Sequence, residues 1–488
     1  MKQRSTFIVS ESHGTLPENF SLKKDTFIIK ALPPSTVRED RVTFSLHELP
    51  AEIQDVLSSC REVHLKLTSG DIYEFIDPYS SRTPAGLHVF LSSEQGASPD
   101  SICQLLEKVF GINNCWGFKS SFIEIPGGYQ FYSPLRSAST FVQYLQNHLS
   151  EKDTLRRSEV QSLESAEYID VIYDAIAQTL VLSSVHAPNQ PKWDGSSITS
   201  AKTSGVELGV FGNITPMEEE GLTLAGFITE LGESDDFEPT MFSFASRHHR
   251  SESTFSLATA RPAGLHPRLR LSIHGTAKPP PNAGDECTLN AYFTLPVALF
   301  IDKYQLSSDN QQLLDSLNIK RIKAISGETD LEAPVWTREK WGSRVLVEVD
   351  TKGGENGIEL ELPLHLRYLE PRYNGTTTKV DFAWPSVFWA CRSEQWKMMA
   401  VNPFDRLHLG WEDLFPEQVM YYYLSPAPHG EGEGAWSSID VPVLGLENAE
   451  MIKIGTVTVV GLGFLWVLFK IFMAKLSSVR EKKELKRE

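Results

Sequence analysis

The residues best suited to chemistry are four histidines, one acidic pair and one glycine-rich stretch. His248 and His249 are adjacent, while His266 and His274 flank an alternating Arg-Leu-Arg-Leu-Ser-Ile run. Alternation places His266 and His274 on one face of a strand. At about 3.3 Å per residue they stand roughly 26 Å apart, too far to share an ion. Glu348-Val349-Asp350 is the nearest approach to the paired carboxylates that hold a nucleotide-sugar metal, but it ends a strand before a turn. The stretch GEGEG at 430–434 has loop-forming glycines, yet its two glutamates would repel a phosphate. No G-x-S-x-G elbow, Walker sequence or H-E-x-x-H is present. These residues therefore predict no catalytic residue, no metal ligand and no cofactor. Phe382, Trp384, Phe388 and Trp389 form an aromatic run, and Tyr421, Tyr422 and Tyr423 a second one. Both read as sheet core or partner surface. The net charge of -17 excludes the basic footprint of a nucleic-acid binder.

Charge is unevenly spread. From residue 451 onward there are eight Lys or Arg and three Glu, a balance of +5, so the preceding 450 residues carry -17 - 5 = -22. Residues 452–474 form an almost uncharged run of the length, about 20 residues, that a bilayer core requires. Lys453 and Lys470 near its ends can snorkel. The stretch MKQRSTFIVSESHG lacks the ~7–15-residue apolar core of a signal peptide, so the span itself is expected to direct the chain. Lys475, Arg480, Lys482, Lys483, Lys486 and Arg487 follow the span closely, which by the positive-inside rule predicts a cytoplasmic tail at 475–488 and a lumenal body. Asn19, Asn213 and Asn374 each begin an N-x-S/T sequence and are candidate glycosylation sites in that topology. Cys60, Cys103, Cys115, Cys287 and Cys391 show no metal-ligand spacing. Their pairing, or their persistence as buried thiols, is left open by sequence.

The elements that must position these residues follow from periodicity. Residues 6–9, 26–30, 41–45 and 63–67 read as strands, and 49–59, 99–110 and 141–149 as helices. These make an α+β N-terminal domain over 1–150. Residues 168–174 and 178–185 form a hairpin. Residues 188–204, rich in Pro, Ser and Thr, and the acidic stretch 217–251 read as loop or linker, completing a region at 151–240. Beyond it, 268–274, 287–293, 298–300, 344–349 and 358–368 read as strands. Turns such as Pro279-Pro280-Pro281 and Gly353-Gly354 separate them. The fold class is mainly β with some α: an antiparallel, sandwich-like domain over 241–440 and one membrane helix at 452–474.

Four stretches occur in order before that span: LHPRLRLSIHG (265–275), LPVALFIDKYQL (295–306), LPLHLRYLEPRYNG (362–375) and WPSVFWAC (384–391). Together they resemble the PIG-X family, over roughly residues 245–475. Residues 1–240 are similar, more loosely, to the extra N-terminal domain of its fungal members. The resemblance implies a single-span protein of the endoplasmic reticulum membrane, the non-catalytic partner of GPI mannosyltransferase I. It would stabilise that enzyme's multi-span, PIG-M-like catalytic subunit, which transfers the first mannose onto the GPI precursor. Tyr368, Trp384, Phe388 and Trp389 are then the expected partner surface, together with the span. A general lumenal chaperone-like factor and a tail-anchored cytosolic adaptor are the alternatives.

Overall fold

The computed structural model describes all residues except 1, 10–18, 24, 31, 34, 94–98, 150–156, 189–196, 200–204, 215–220, 234–235, 261–263, 276–277, 281–285, 353–356, 374–375, 406–407, 428–433 and 485–488. The chain divides into two compact units. The larger holds Met1–Arg367 with Val380–Ile439, and the smaller holds Tyr368–Lys379 with Asp440–Glu488.

Two large sheets dominate the larger unit. The first has eleven strands, and its centre is the run Lys2–Val9, Thr36–Ser45, Thr179–His186, Tyr168–Asp174 and Cys60–Thr68. Every pairing in it is antiparallel except that of Lys2–Val9 with Val206–Ile214. Its apolar face carries Val63, Leu67, Val89, Val171 and Leu182, packed under the helices Ala51–Leu57, Ile102–Phe110 and Ser139–Leu149. Ile102, Leu106 and Val109 supply the helical stripe, and Gly111 at φ 73° ends that helix. A left-handed residue there frees the Gly111 N–H to bond the Glu107 carbonyl at 2.8 Å.

The opposite face of the same strands is polar yet buried: His64, Lys66, Thr68, His88 and Asp170. These groups are tolerable inside because polar partners meet them: Thr68 Oγ1 lies 2.6 Å from Thr83 Oγ1 and His88 Nε2 2.8 Å from the Pro84 carbonyl. His64 Nε2 lies 3.1 Å from Asp170 Oδ1, with Lys66 Nζ 3.5 Å from the same oxygen.

The second sheet has eight strands. In order these are Ile319–Gly327, Gly342–Val349, Cys287–Pro296, Ser386–Arg392, Val419–Pro426, His248–Ala260, Arg268–His274 and Ile358–Pro363. All its pairings are antiparallel except that of His248–Ala260 with Val419–Pro426. The two sheets share an interior. Gln130 Nε2 donates to Tyr292 Oη at 3.1 Å, Trp341 Nε1 to the Gln130 carbonyl at 3.1 Å, and Ser386 Oγ to the Arg82 carbonyl at 2.7 Å.

One expectation is corrected. Most of the described part of 217–251 is strand rather than linker: Gly221–Leu231 and Glu238–Ala245 complete one edge of the first sheet, and His248 opens a strand of the second. The acidic residues misled because they sit on exposed positions, as Glu230 and Glu238 do, while Leu222, Leu224, Phe227 and Leu231 turn inward. An edge strand tolerates charge on its outer face.

In the smaller unit, the described part of 368–379 bonds to the segment 443–446, the Val443 N–H donating to the Thr376 carbonyl at 2.9 Å. The Arg372 N–H donates to the Leu444 carbonyl at 3.1 Å, and the Leu446 N–H returns to Arg372 at 3.0 Å. The 36-residue helix Ala449–Glu484 follows, about 54 Å long at 1.5 Å per residue. The segment Leu446–Lys475, which takes in the turn Leu446–Asn448 and most of that helix, is long and apolar enough to cross a membrane, with mean hydropathy 2.1. Thr456 and Thr458 satisfy their hydroxyls on the carbonyls four residues back, both at 2.8 Å, an arrangement that a bilayer would require of them.

Candidate functional site

Three of the four quoted stretches meet in space. Leu299–Phe300 pairs antiparallel with His365–Leu366. The Leu364 and Leu366 N–H groups donate to Pro267 and Leu265 at 2.8 and 3.0 Å, and the Arg367 N–H to Ala298 at 2.9 Å. This backbone frame sets the side chains. His266 Nδ1 lies 3.0 Å from His365 Nδ1, so one ring donates and the other accepts, and both cannot be protonated. His365 stacks on Phe300 at 5.2 Å, and its Nε2 lies 3.3 Å from Gln305 Oε1. Burial pushes His365 below its ordinary pKa, and the neighbouring His266 adds to this.

Arg367 closes the cluster. Its guanidinium lies 4.2 Å over the Phe300 ring, and Nη1 donates to the Ala333 carbonyl at 3.0 Å. Asp302 Oδ1 accepts the N–H groups of Tyr304 and Gln305 at 2.8 and 3.2 Å, folding the Asp302-Lys303-Tyr304 turn. Tyr304, on that turn, and Leu331 and Trp336, on the segment anchored by Arg367, are exposed. The arrangement is a braced turn with an exposed aromatic rim, suited to contact with another molecule.

The expected partner surface divides. Tyr368 is 61% exposed, whereas Trp384, Phe388 and Trp389 are 3%, 0% and 2% exposed and belong to the core. The strand of Phe388 and Trp389, Ser386–Arg392, is the fourth of eight and is buried on both faces. Phe388 therefore stacks on Trp411 at 4.8 Å on one side, while Val387 and Trp389 are buried on the other. A strand covered twice loses the polar alternation that would mark an exposed face. Trp384 Nε1 donates to Ser437 Oγ at 2.9 Å.

The remaining candidates are accounted for singly. His248 sits between Asp405 and Tyr423, at 3.1 and 3.0 Å, and His249 bonds the Ser246 carbonyl at 2.8 Å. His274 bonds Ser256 Oγ at 2.9 Å. Among the described residues, no three His, Cys, Asp or Glu side chains gather as a metal site. Glu348 is buried among Lys320, Arg321 and Lys323. Burial would raise its pKa, but its contacts with Lys320 and Arg321 outweigh this and hold the carboxyl below its usual range. Asn19 and Asn213 are partly exposed. Asn374 lies outside the described residues, as does most of the 430–434 loop.

Sequence reasoning could not pair the cysteines. Cys103 bonds Cys115, Cys287 bonds Cys391, and Cys60 is a buried free thiol. Cys287 and Cys391 face each other across adjacent strands, a register visible only once those strands are known to be neighbours.

Residues 262–472 match the model of the family described as PIG-X / PBN1. Protein pbn1 of Emericella nidulans is 38% identical over 515 aligned residues, covering 98% of this chain and 97% of that protein. The chain belongs to the PIG-X / PBN1 family. Protein pbn1 of Aspergillus fumigatus is 36% identical over 96% of this chain and 95% of that protein, and that of Neurospora crassa 33% over 97% and 95%. The kinship thus extends through residues 1–240 as well as through the clustered turn.

Proposed function

We propose that this protein is the non-catalytic accessory subunit of GPI mannosyltransferase I. It holds a multi-span, PIG-M-like catalytic subunit in a stable form in the endoplasmic reticulum membrane while the first mannose is transferred to the GPI-anchor precursor. The full-length kinship with the fungal pbn1 proteins carries this reading. A body in the lumen and a tail in the cytosol accord with two disulfides, which form in oxidising compartments, and with the basic residues that follow the span. Tyr368 and the apolar helix are the parts of the expected partner surface that the fold leaves exposed.

Conditional depletion of the protein should lower the catalytic subunit severalfold and reduce mannosylated GPI intermediates in parallel. Normal amounts of both would refute the proposal. In intact microsomes the body should resist protease and shift in mobility on glycosidase treatment. Affinity capture should return one stoichiometric multi-span protein; many substoichiometric clients would favour a general chaperone instead.

A further inference from the structure

The edge strand Ile319–Gly327 departs twice from regular pairing with Gly342–Val349. Ile319 pairs with Val349 and Arg321 with Glu348, then Ile322 with Val347 and Ala324 with Leu346. Lys320 and Lys323 are the two extra residues. In a regular strand Lys320 and Arg321 would point to opposite faces. Here the bulges bring Lys320, Arg321 and Lys323 onto one carboxylate. Lys320 Nζ lies 2.8 Å from Glu348 Oε1, and Arg321 Nε and Lys323 Nζ lie 2.8 and 3.5 Å from Oε2. Bulges that re-aim side chains in this way recur beside functional sites.

The cluster holds three cations and one carboxylate, a surplus of two positive charges. Glu348 is 1% exposed, but Lys320 and Arg321 are 58% and 61% exposed. Lys323 is held inside by Thr288 Oγ1 at 3.2 Å and lies 4.4 Å over the Phe415 ring. Glu348 takes Arg321 through Nε, and among the described residues Nη1 and Nη2 meet no acceptor. Defending an edge against strand pairing needs only scattered lysines. It does not need a buried acid that gathers three cations and leaves an arginine fork free. That fork matches two oxygens of a phosphate, with Lys320 as a second charge beside it. The rest of the body is strongly acidic, so a local positive site selects its anion against a repelling background.

We infer that Arg321 and Lys320, organised by Glu348 and Lys323 on the bulged edge strand, form a binding site for a phosphate group. The group is either free in solution or borne by a lipid. The inference stands apart from the accessory-subunit reading and does not depend on it.

The test is calorimetric titration of the full-length protein in neutral detergent, with inorganic pyrophosphate and with monomeric dihexanoyl phosphatidic acid as probes. Saturable binding of either probe is expected. It should weaken at least tenfold in R321A and in K320A, weaken further with added salt, and be only partly retained in R321K. Binding of pyrophosphate alone identifies a free phosphate as the source, binding of phosphatidic acid alone a lipid phosphate, and binding of both the phosphate group itself. R392A is the control, since Arg392 lies on the same sheet, is 62% exposed and pairs with Glu286; it should bind as wild type. Absence of saturable binding with both probes overturns the inference. So does wild-type affinity in R321A and K320A, or an equal loss in R392A.

Discussion

Arg367 is only 2% exposed, and a buried guanidinium is costly unless its groups are met. The Ala333 carbonyl, the Phe300 ring and Glu328, 4.0 Å away, offset that cost. Burial still lowers the pKa of Arg367. Its residue type in the sequence is that of an anion binder; its packing makes it a brace for two turns. Three buried histidines carry a measurable consequence. His64, His88 and His186 all have pKa values lowered by burial, His88 to about 4. Each is neutral in the fold, so its stabilisation is present above the unfolded pKa of about 6.5 and is lost as pH falls toward the folded value. For His88 the loss should reach roughly 3 kcal/mol by pH 4, at about 1.4 kcal/mol per pH unit. His88→Gln keeps a donor for the Pro84 carbonyl, which His88 Nε2 meets at 2.8 Å, and removes the titration. Urea unfolding of the full chain in detergent between pH 7.5 and 5 should show a shallower loss in His88→Gln. An unchanged slope would show that His88 has the same pKa in the folded and unfolded chain, so that its burial contributes nothing to the pH dependence.

At the scale of elements, Gly342 determines how the strand Gly342–Val349 of the second sheet begins. Its φ is 146°, and a Cβ placed there would lie 2.0 Å from the Leu295 carbonyl oxygen. Both the conformation and the close approach exclude a side chain, so Gly342→Ala should destabilise the protein by about 2–4 kcal/mol through strain and displaced backbone. Thermal melting checks this, and a shift under about 2 °C would mean that the strands separate more easily than their ladder implies. Element type was legible where the alternation was clean. The hairpin of Tyr168–Asp174 with Thr179–His186, the helix Ile102–Phe110 and the strand Arg268–His274 lie close to where periodicity places them. The strands Gly221–Leu231 and Glu238–Ala245 were illegible because a composition rule, acidic and therefore solvated, competed with a ladder of backbone bonds that composition does not encode. The bulges at Lys320 and Lys323 were illegible for a related reason. A bulge is a mismatch between two strands, and one strand alone does not show it.

For the molecule as a whole, the shared interior of the larger unit ties together residues far apart in sequence. Gln130 meets Tyr292 and Arg82 meets Ser386 inside it, and the half-buried Glu62 bonds His408 at 2.8 Å beside it. A fragment beginning at residue 241 would lose one wall of that interior and expose Tyr292 and Trp341, both buried in the full chain. Expressed with its membrane helix, it should lack fixed near-ultraviolet dichroism and show no cooperative melting. A cooperative transition within about 5 °C of that of the full chain would show instead that the halves fold separately. The sequence by itself determined the apolar span, the acidic body with its basic tail, the alternation of most strands and the ordered stretches that place the chain in its family. These are properties of neighbouring residues, and neighbouring residues set periodicity, hydropathy and charge. Only the tertiary structure decided that Trp384, Phe388 and Trp389 are core, that Cys287 pairs with Cys391 across 104 residues, and that three cations gather on Glu348. Each depends on which distant segments pack together, and the free energy of that packing belongs to the pair of surfaces rather than to either segment's own pattern.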